Sequence, residues 1–337
     1  MPRTSPISLD EVASLDTLSL AFGRAARGRG GRGPVEAMRA DLHRALPALA
    51  EGLRAGTAPL GLFSRFEVRD PKRRLIEAPC FADRVVHHAM MAHMGPVIDK
   101  GLIDDTFACR VGKGNLAAAR RAQQQQRRWP WWVKVDVRAY FHSVDHGVLL
   151  DLLARRFRRP CLLGLCGRVL ARRQGPPGLG LPIGALTSQH FGNLYLDGLD
   201  RFLSQGLRVP AMLRYMDDVV WWARSRAEAE DSLAAARAYL LQQRGLVLKP
   251  SARVGRQADP LPLCGFQVRR GRMGLSRRRR RRLVAALRRA ERGFRRGLLS
   301  PGALVRWADA ALAIGAHADA LGWRRRVLSA RPPLEVG

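Results

Sequence analysis

Apolar residues recur at helical spacing over 8–27, at Leu9, Val12, Leu15, Leu18 and Phe22, and again over 34–55, at Leu42, Leu46, Leu49 and Leu53. Between the two, Gly28-Arg29-Gly30-Gly31-Arg32-Gly33-Pro34 reads as a flexible basic linker. From Phe66 to Pro79 the chain is short, extended and basic, with Pro71 and Pro79 disfavouring helix, and Arg84 to Met91 begins a helix. An Ala-rich helix follows Asn115, with Gln123 to Gln126 on its surface. The period then changes to two. Val133, Val135 and Val137 alternate with Trp132, Lys134 and Asp136, which predicts a strand carrying an acid near its C-terminal end. Phe191, Leu194, Tyr195, Leu199 and Phe202 form one face of a helix that Thr187 or Ser188 is placed to cap. The β-branched and aromatic stretch 213–222 predicts a hairpin whose turn or first strand carries Asp217 and Asp218. A helix over 226–243, a strand over 245–249 and amphipathic helices beyond Arg277 complete the pattern.

Two adjacent acids inside an apolar hairpin change the picture. A buried pair of like charges is costly unless paired or metal-bound, and hard divalent ions select oxygen ligands. Alone, Asp217-Asp218 would read as a solvated turn. With Asp136 on a strand pairing beside it, three carboxylates converge and can hold two ions roughly 3.5–4 Å apart for in-line phosphoryl displacement.

Charge narrows the partner. Lys and Arg number 59 against 28 Asp and Glu, a formal net charge of +31, which favours a polyanion, most simply nucleic acid, with strong salt dependence. No apolar run reaches the roughly 18 residues needed to span a bilayer, so no membrane is expected. Cys80, Cys109, Cys161, Cys166 and Cys264 form no C-x-x-C pair and read as reduced, in keeping with a cytoplasmic protein. There is no Walker A loop and hence no sign of an ATP-driven motor.

The stretch around Asp136 and the Tyr215-Met216-Asp217-Asp218 hairpin together resemble motifs A and C of the reverse transcriptase palm. Further segments fit in order. Residues 66–79 resemble the fingers strand over the incoming triphosphate, with Arg74 matching the family's triphosphate-contacting arginine and Lys72 a second candidate. Lys113 in Gly112-Lys113-Gly114 falls where the family contacts the template backbone. Ile183-Gly184-x-x-x-Ser188-Gln189 matches motif B, with Ile183 where most members have glutamine and Gln189 where they have proline. That variant resembles the reverse transcriptases of diversity-generating retroelements, which misincorporate at template adenines. Gly245 to Lys249 resembles motif D, with Lys249 and Arg253 both candidates for its basic residue, and Leu263-Cys264-Gly265-Phe266 resembles the primer grip.

The resemblance implies an α+β right-hand polymerase: an N-terminal helical extension (1–58), fingers and palm with an antiparallel catalytic sheet (59–268), and a basic helical thumb (269–337). It implies catalytic acids Asp136, Asp217 and Asp218 holding two Mg²⁺ ions, for which Mn²⁺ can substitute, with the Val137 carbonyl completing one coordination shell. Arg138, Tyr140, Phe141, Ile183, Gly184 and Gln189 join Arg74 and Lys249 around the nucleotide, Phe141 as the plate beneath its sugar. Tyr215, Met216, Gly265 and Arg277, Arg278, Arg279, Arg280, Arg281 and Arg282 contact nucleic acid. The implied partners are an RNA template, a DNA or RNA primer, dNTPs and a small basic accessory protein. The implied activity is RNA-directed DNA synthesis. An antiphage defence reverse transcriptase is the alternative within the class, and a non-catalytic RNA-binding scaffold the alternative outside it.

Overall fold

The computed structural model describes residues 4–69, 73–171, 175–313 and 315–331; Lys72 lies outside them. Each expected N-terminal helix is broken in two. Ser8 and Glu11 form a capping box on α1 (Leu9–Val12), and Ser14 starts α2 (Leu15–Ala26) by accepting the Thr17 N–H. The second helix divides at Asp41 into α3 (Gly33–Ala40) and α4 (Leu42–Ala55), which ends at Gly56 with φ 78°. A two-stranded ribbon follows, β1 (Phe63–Arg69) antiparallel to β2 (Arg73–Pro79). Next come α5 (Phe81–Gly101), α6 (Asn115–Gln126), β3 (Trp131–Asp136), α7 (His146–Ala154), α8 (Pro160–Ala171) and α9 (Leu186–Arg201). The hairpin is β4 (Ala211–Tyr215) and β5 (Asp218–Ala223), then α10 (Arg226–Arg244) and β6 (Arg253–Arg256). A small meander, β7 (Leu261–Leu263), β8 (Phe266–Val268) and β9 (Met273–Leu275), leads to α11 (Arg277–Arg295), α12 (Pro301–Ala313) and α13 (Leu321–Ser329).

The central sheet has the order β4-β5-β3-β6, each neighbour antiparallel. Because side chains alternate across a strand, its two faces have separate fates. One face presents Val133, Val135, Val219 and Trp221 to a core shared with α5, α9 and α10. The other presents Trp132, Val220 and Trp222, covered by α6 and by the apolar residues of β7, β8 and β9. The three buried indoles each donate their N–H: Trp132 to the Arg256 carbonyl at 2.8 Å, Trp221 to Ser232 at 2.9 Å and Trp222 to Gln126 at 3.1 Å. On this second face the apolar cover stops short, and the next positions along the strands are Lys134, Asp136 and Asp218. Helices α11 to α13 close around a separate small core of Leu283, Leu287 and Ala311 with Trp323 packed on it.

Three sequence expectations change. Gln125 and Gln126 are buried rather than on the helix surface, and the Gln126 amide donates to the Gln257 and Asp259 carbonyls, fastening α6 to the loop after β6. Helix α9 begins at Leu186, after an Ala185 N-cap and two residues earlier than a Thr187 cap would place it; the Thr187 hydroxyl instead meets His87 Nδ1 at 2.9 Å. The expected strand at 245–249 shrinks to one bridge, Val137 to Leu248, held by Arg138 N–H to Val247 and Lys249 N–H to Asp136. Pro250 cannot donate the next ladder bond, and that edge of β3 pairs with β6 instead.

Candidate active site

Asp136 is the last residue of β3 and sits directly opposite Asp218, the first residue of β5. Asp217 lies in the two-residue turn between Tyr215 and Asp218, where Met216 takes φ 58°, a left-handed conformation that most side chains avoid. Like charges facing each other across strands repel, and two lysines offset them: the Lys134 ammonium pairs with Asp218 and the Lys249 ammonium with Asp136. Burial, reinforced by the neighbouring Asp136 carboxylate, pushes the Asp217 carboxyl up to about 6. Burial also raises Asp218, with Lys134 countering part of the effect.

Three carboxylates on adjoining backbone, one of them with its ionised form disfavoured by burial and by a neighbouring acid, form a donor set suited to hard divalent ions, whose charge would relieve that cost. Among the described residues no three acids, histidines or cysteines are grouped closely enough to hold an ion in the present arrangement. The two ammoniums hold Asp136 and Asp218 in that role, so the donor types fit such ions and the lysines would have to swing away to admit them.

The strained turn is anchored from below by a residue to which sequence reading gave no role. Arg214, fully buried, pairs with Asp200 at 2.7 Å and donates to the Asn193 side chain at 3.1 Å, the Asn193 carbonyl at 3.0 Å and the Met216 carbonyl at 3.1 Å. Thr106 donates to the same Asp200 at 3.1 Å. Burial alone would lower the Arg214 pKa, but the Asp200 carboxylate more than reverses this, so the guanidinium stays charged. The signal available was a lone arginine on the alternate that carries Met212 into the apolar core.

The acids open into a cavity of about 710 Å³. Phe141, Lys249, Tyr215 and Met216 line it beside Asp136, Asp217 and Asp218. Arg74 enters from β2, and Ile183, Gly184 and Gln189 from the start of α9 and the loop before it. Gly265 and Ser276 close another side together with Arg278, Arg279 and Arg282 from α11. Gly184 has φ 130°, and a Cβ there would meet the Glu77 carbonyl at 3.0 Å, so this glycine permits close packing of the loop on β2. The Glu77 N–H donates to Ile183 at 2.9 Å in the same contact. Cys109, to which sequence reading gave no role, lines the cavity and donates its thiol to Gln189 Oε1 at 3.2 Å. Cys264 lines it as a neutral thiol, its pKa pushed by burial to about 12.

Other sequence candidates are not among the residues lining this cavity. Tyr140 is buried with its hydroxyl donating to the Gly192 carbonyl at 2.5 Å, edge-on to Phe141. Val137 is buried, and Arg138 points to solvent. Lys113 pairs with Asp104 at 2.6 Å and lies over the Phe107 ring. The six-arginine run is helical, so it does not present one surface. Arg278, Arg279 and Arg282 face the acids, whereas Arg277 and Arg280 line a different groove. Of the two motif D candidates, Lys249 pairs with Asp136, whereas Arg253 lines that other groove and a cavity it shares with Asp136 and Asp218.

An acid pair on a tight hairpin beside a third acid on the neighbouring strand, in an antiparallel sheet backed by helices, defines the palm of a right-hand polymerase. The chain belongs to the reverse transcriptase (RNA-dependent DNA polymerase) family, whose model matches residues 69–252, more than half of it. It is similar to Protein YkfC of Escherichia coli (strain K12), with 24% identity over 145 residues, 40% of this chain and 38% of that protein. Among solved structures, apo telomerase from Candida tropicalis superposes with a TM-score of 0.50 at 10% identity, covering 85% of this chain and 66% of that one. Telomerase from Candida albicans gives 0.48 at 9% identity, covering 80% and 55%. The chain thus spans under half of the bacterial relative and between half and two thirds of these telomerase chains.

Proposed function

We propose that the protein is an RNA-directed DNA polymerase. The observation that carries the proposal is a single cavity with three carboxylates at its floor and four arginines, Arg74, Arg278, Arg279 and Arg282, on its walls. Guanidinium groups donate bidentately and stay charged, which suits a triphosphate and a primer backbone. Phe141 presents a flat ring where a 2′-hydroxyl would collide, so the cavity favours deoxynucleotides. Arg214 holds the Asp217 turn rigid through the Met216 carbonyl. Lys249, beside Asp136, is the basic group assigned to the leaving pyrophosphate, and Arg253 is released from that role. Two Mg²⁺ ions bound by Asp136, Asp217 and Asp218 would supply the charge that activates the primer 3′-hydroxyl and stabilises the leaving oxygen.

The Ile183 and Gln189 variant of motif B supports a diversity-generating retroelement enzyme that is inaccurate at template adenines. Isoleucine offers shape where glutamine offers hydrogen bonds, and an apolar wall discriminates less well than a polar site. An RNA template, a primer, dNTPs and a small basic accessory protein are the partners of this reading, in the cytoplasm. Copying a defined RNA from a DNA primer with dNTPs and Mg²⁺, then sequencing the products, tests it. Full-length DNA with errors concentrated opposite adenines is expected. No extension would overturn the polymerase; errors spread evenly over the four bases would overturn the subtype.

A further inference from the structure

A second groove, of about 720 Å³, lies on the far side of the α11 start from the acid cavity. Five arginines line it from three segments: Arg253 of β6, Arg269 and Arg272 flanking the β8–β9 turn, and Arg277 and Arg280 of α11. Its one acid, Asp259, is engaged by the Arg256 backbone N–H at 2.8 Å. Among the described residues none of the five guanidiniums is paired with a carboxylate. Arg253 stacks over Trp132 at 5.2 Å and Arg280 over Trp323 at 5.4 Å, and the buried Arg280 Nε has no partner. Aromatic stacking fixes guanidinium planes while leaving their donors free.

The groove is continuous with its neighbours. A cavity of about 620 Å³ carries Lys134, Asp136 and Asp218 together with Arg253, linking the acids to the groove. At the other end Arg280 is shared with a cavity of about 520 Å³ lined by Arg281, Arg288, Arg289 and Arg292. From Arg277 to Arg292 the helix advances roughly 22 Å. Arginine donors without acids, spaced along a track that begins at the catalytic acids, fit a chain of phosphates. The three cavities join in single file through Arg253 and Arg280, a path that the backbone of one strand can follow.

We propose that this arginine track binds a single-stranded segment of nucleic acid by its phosphodiester backbone, outside the template–primer duplex. The proposal rests on the polymerase reading for the origin of that strand, but not for its binding. Affinity of the full-length protein for a non-complementary 20-nucleotide RNA is measured by fluorescence anisotropy from about 50 to 200 mM salt, without dNTPs. Each phosphate contact to a single strand contributes about 0.7 to the slope of log affinity against log salt. Arg269→Gln/Arg272→Gln and Arg288→Gln/Arg289→Gln should each lower that slope by about 1.4, with at least about a tenfold loss of affinity. An exposed control pair, Arg120→Gln/Arg237→Gln, should change neither. A track pair indistinguishable from the control pair overturns the proposal. The same sequence as DNA separates the sources: equal affinity assigns recognition to phosphate alone, a preference for RNA adds 2′-hydroxyl contacts, and both support the track. A wild type that fails to extend primers sinks the polymerase reading, yet the slopes still decide the groove.

Discussion

The acid cavity and the arginine track lie on opposite sides of the first turns of α11 and share the same cation, arginine, but they are built differently. The cavity mixes three carboxylates with its arginines and stands on a strained turn that the buried Arg214 and Asp200 pair holds in place. The central groove of the track has one acid, engaged elsewhere, and its arginines hang from a strand, a turn and a helix surface. Positive charge alone can hold a polyanion. Acids facing one another across a strand pair make chemistry possible, at a cost that the fold must offset from beneath.

That contrast is broken most severely at Arg214. Arg214→Met leaves Asp200 buried and unpaired, and removing one member of a buried ion pair costs about 3–5 kcal/mol. Chemical denaturation should show a loss of that size, and Arg214→Met/Asp200→Leu should recover most of it, whereas Arg269→Gln should leave stability unchanged. An intermediate effect is expected at Phe141, where Phe141→Ala should raise the use of ribonucleotides relative to deoxynucleotides by about tenfold, equivalent to about 1.4 kcal/mol of lost discrimination. An unchanged ratio in soluble variant would reject the steric gate. The smallest effect concerns Asp217. Its folded-state pKa of about 6 lies above the ordinary value of 3.8, so the folded protein takes up this proton more readily than the unfolded chain does. In metal-free protein at pH 7 to 8 the ionised group is a net cost, and Asp217→Asn should melt a few degrees higher than wild type. That advantage should shrink as the pH falls through about 6 and protonation relieves the wild type. A constant difference across this range would contradict the shift.

Much of the acid cavity was legible because its signals are local. Alternation placed Asp136 on a strand facing away from Val135, and two acids between apolar residues marked the hairpin, leaving only the pairing of the strands to be supplied by the fold. What stayed hidden depends on partners distant in sequence. Lys134 is 84 residues from Asp218 and Lys249 is 113 from Asp136, and nothing near any of them in sequence announces the pairing. Gln126 read as polar surface because its partners, Trp222 and the loop after β6, arrive only when the sheet closes. The six arginines read as one charge block, although a turn of 3.6 residues sends them to different sides of a helix. The start of α9 was misplaced because hydroxyls favour caps locally, whereas here His87 offers Thr187 a buried partner.

The most direct test measures RNA affinity and primer extension together in Asp217→Asn. This change removes one carboxylate from the cavity floor and no cation from either site, so the variant should bind RNA with wild-type affinity and salt slope while extension on an RNA template falls to background. Retained extension, or extension and RNA affinity lost together in a folded variant, would contradict the division between a cavity that performs chemistry and a track that holds a strand.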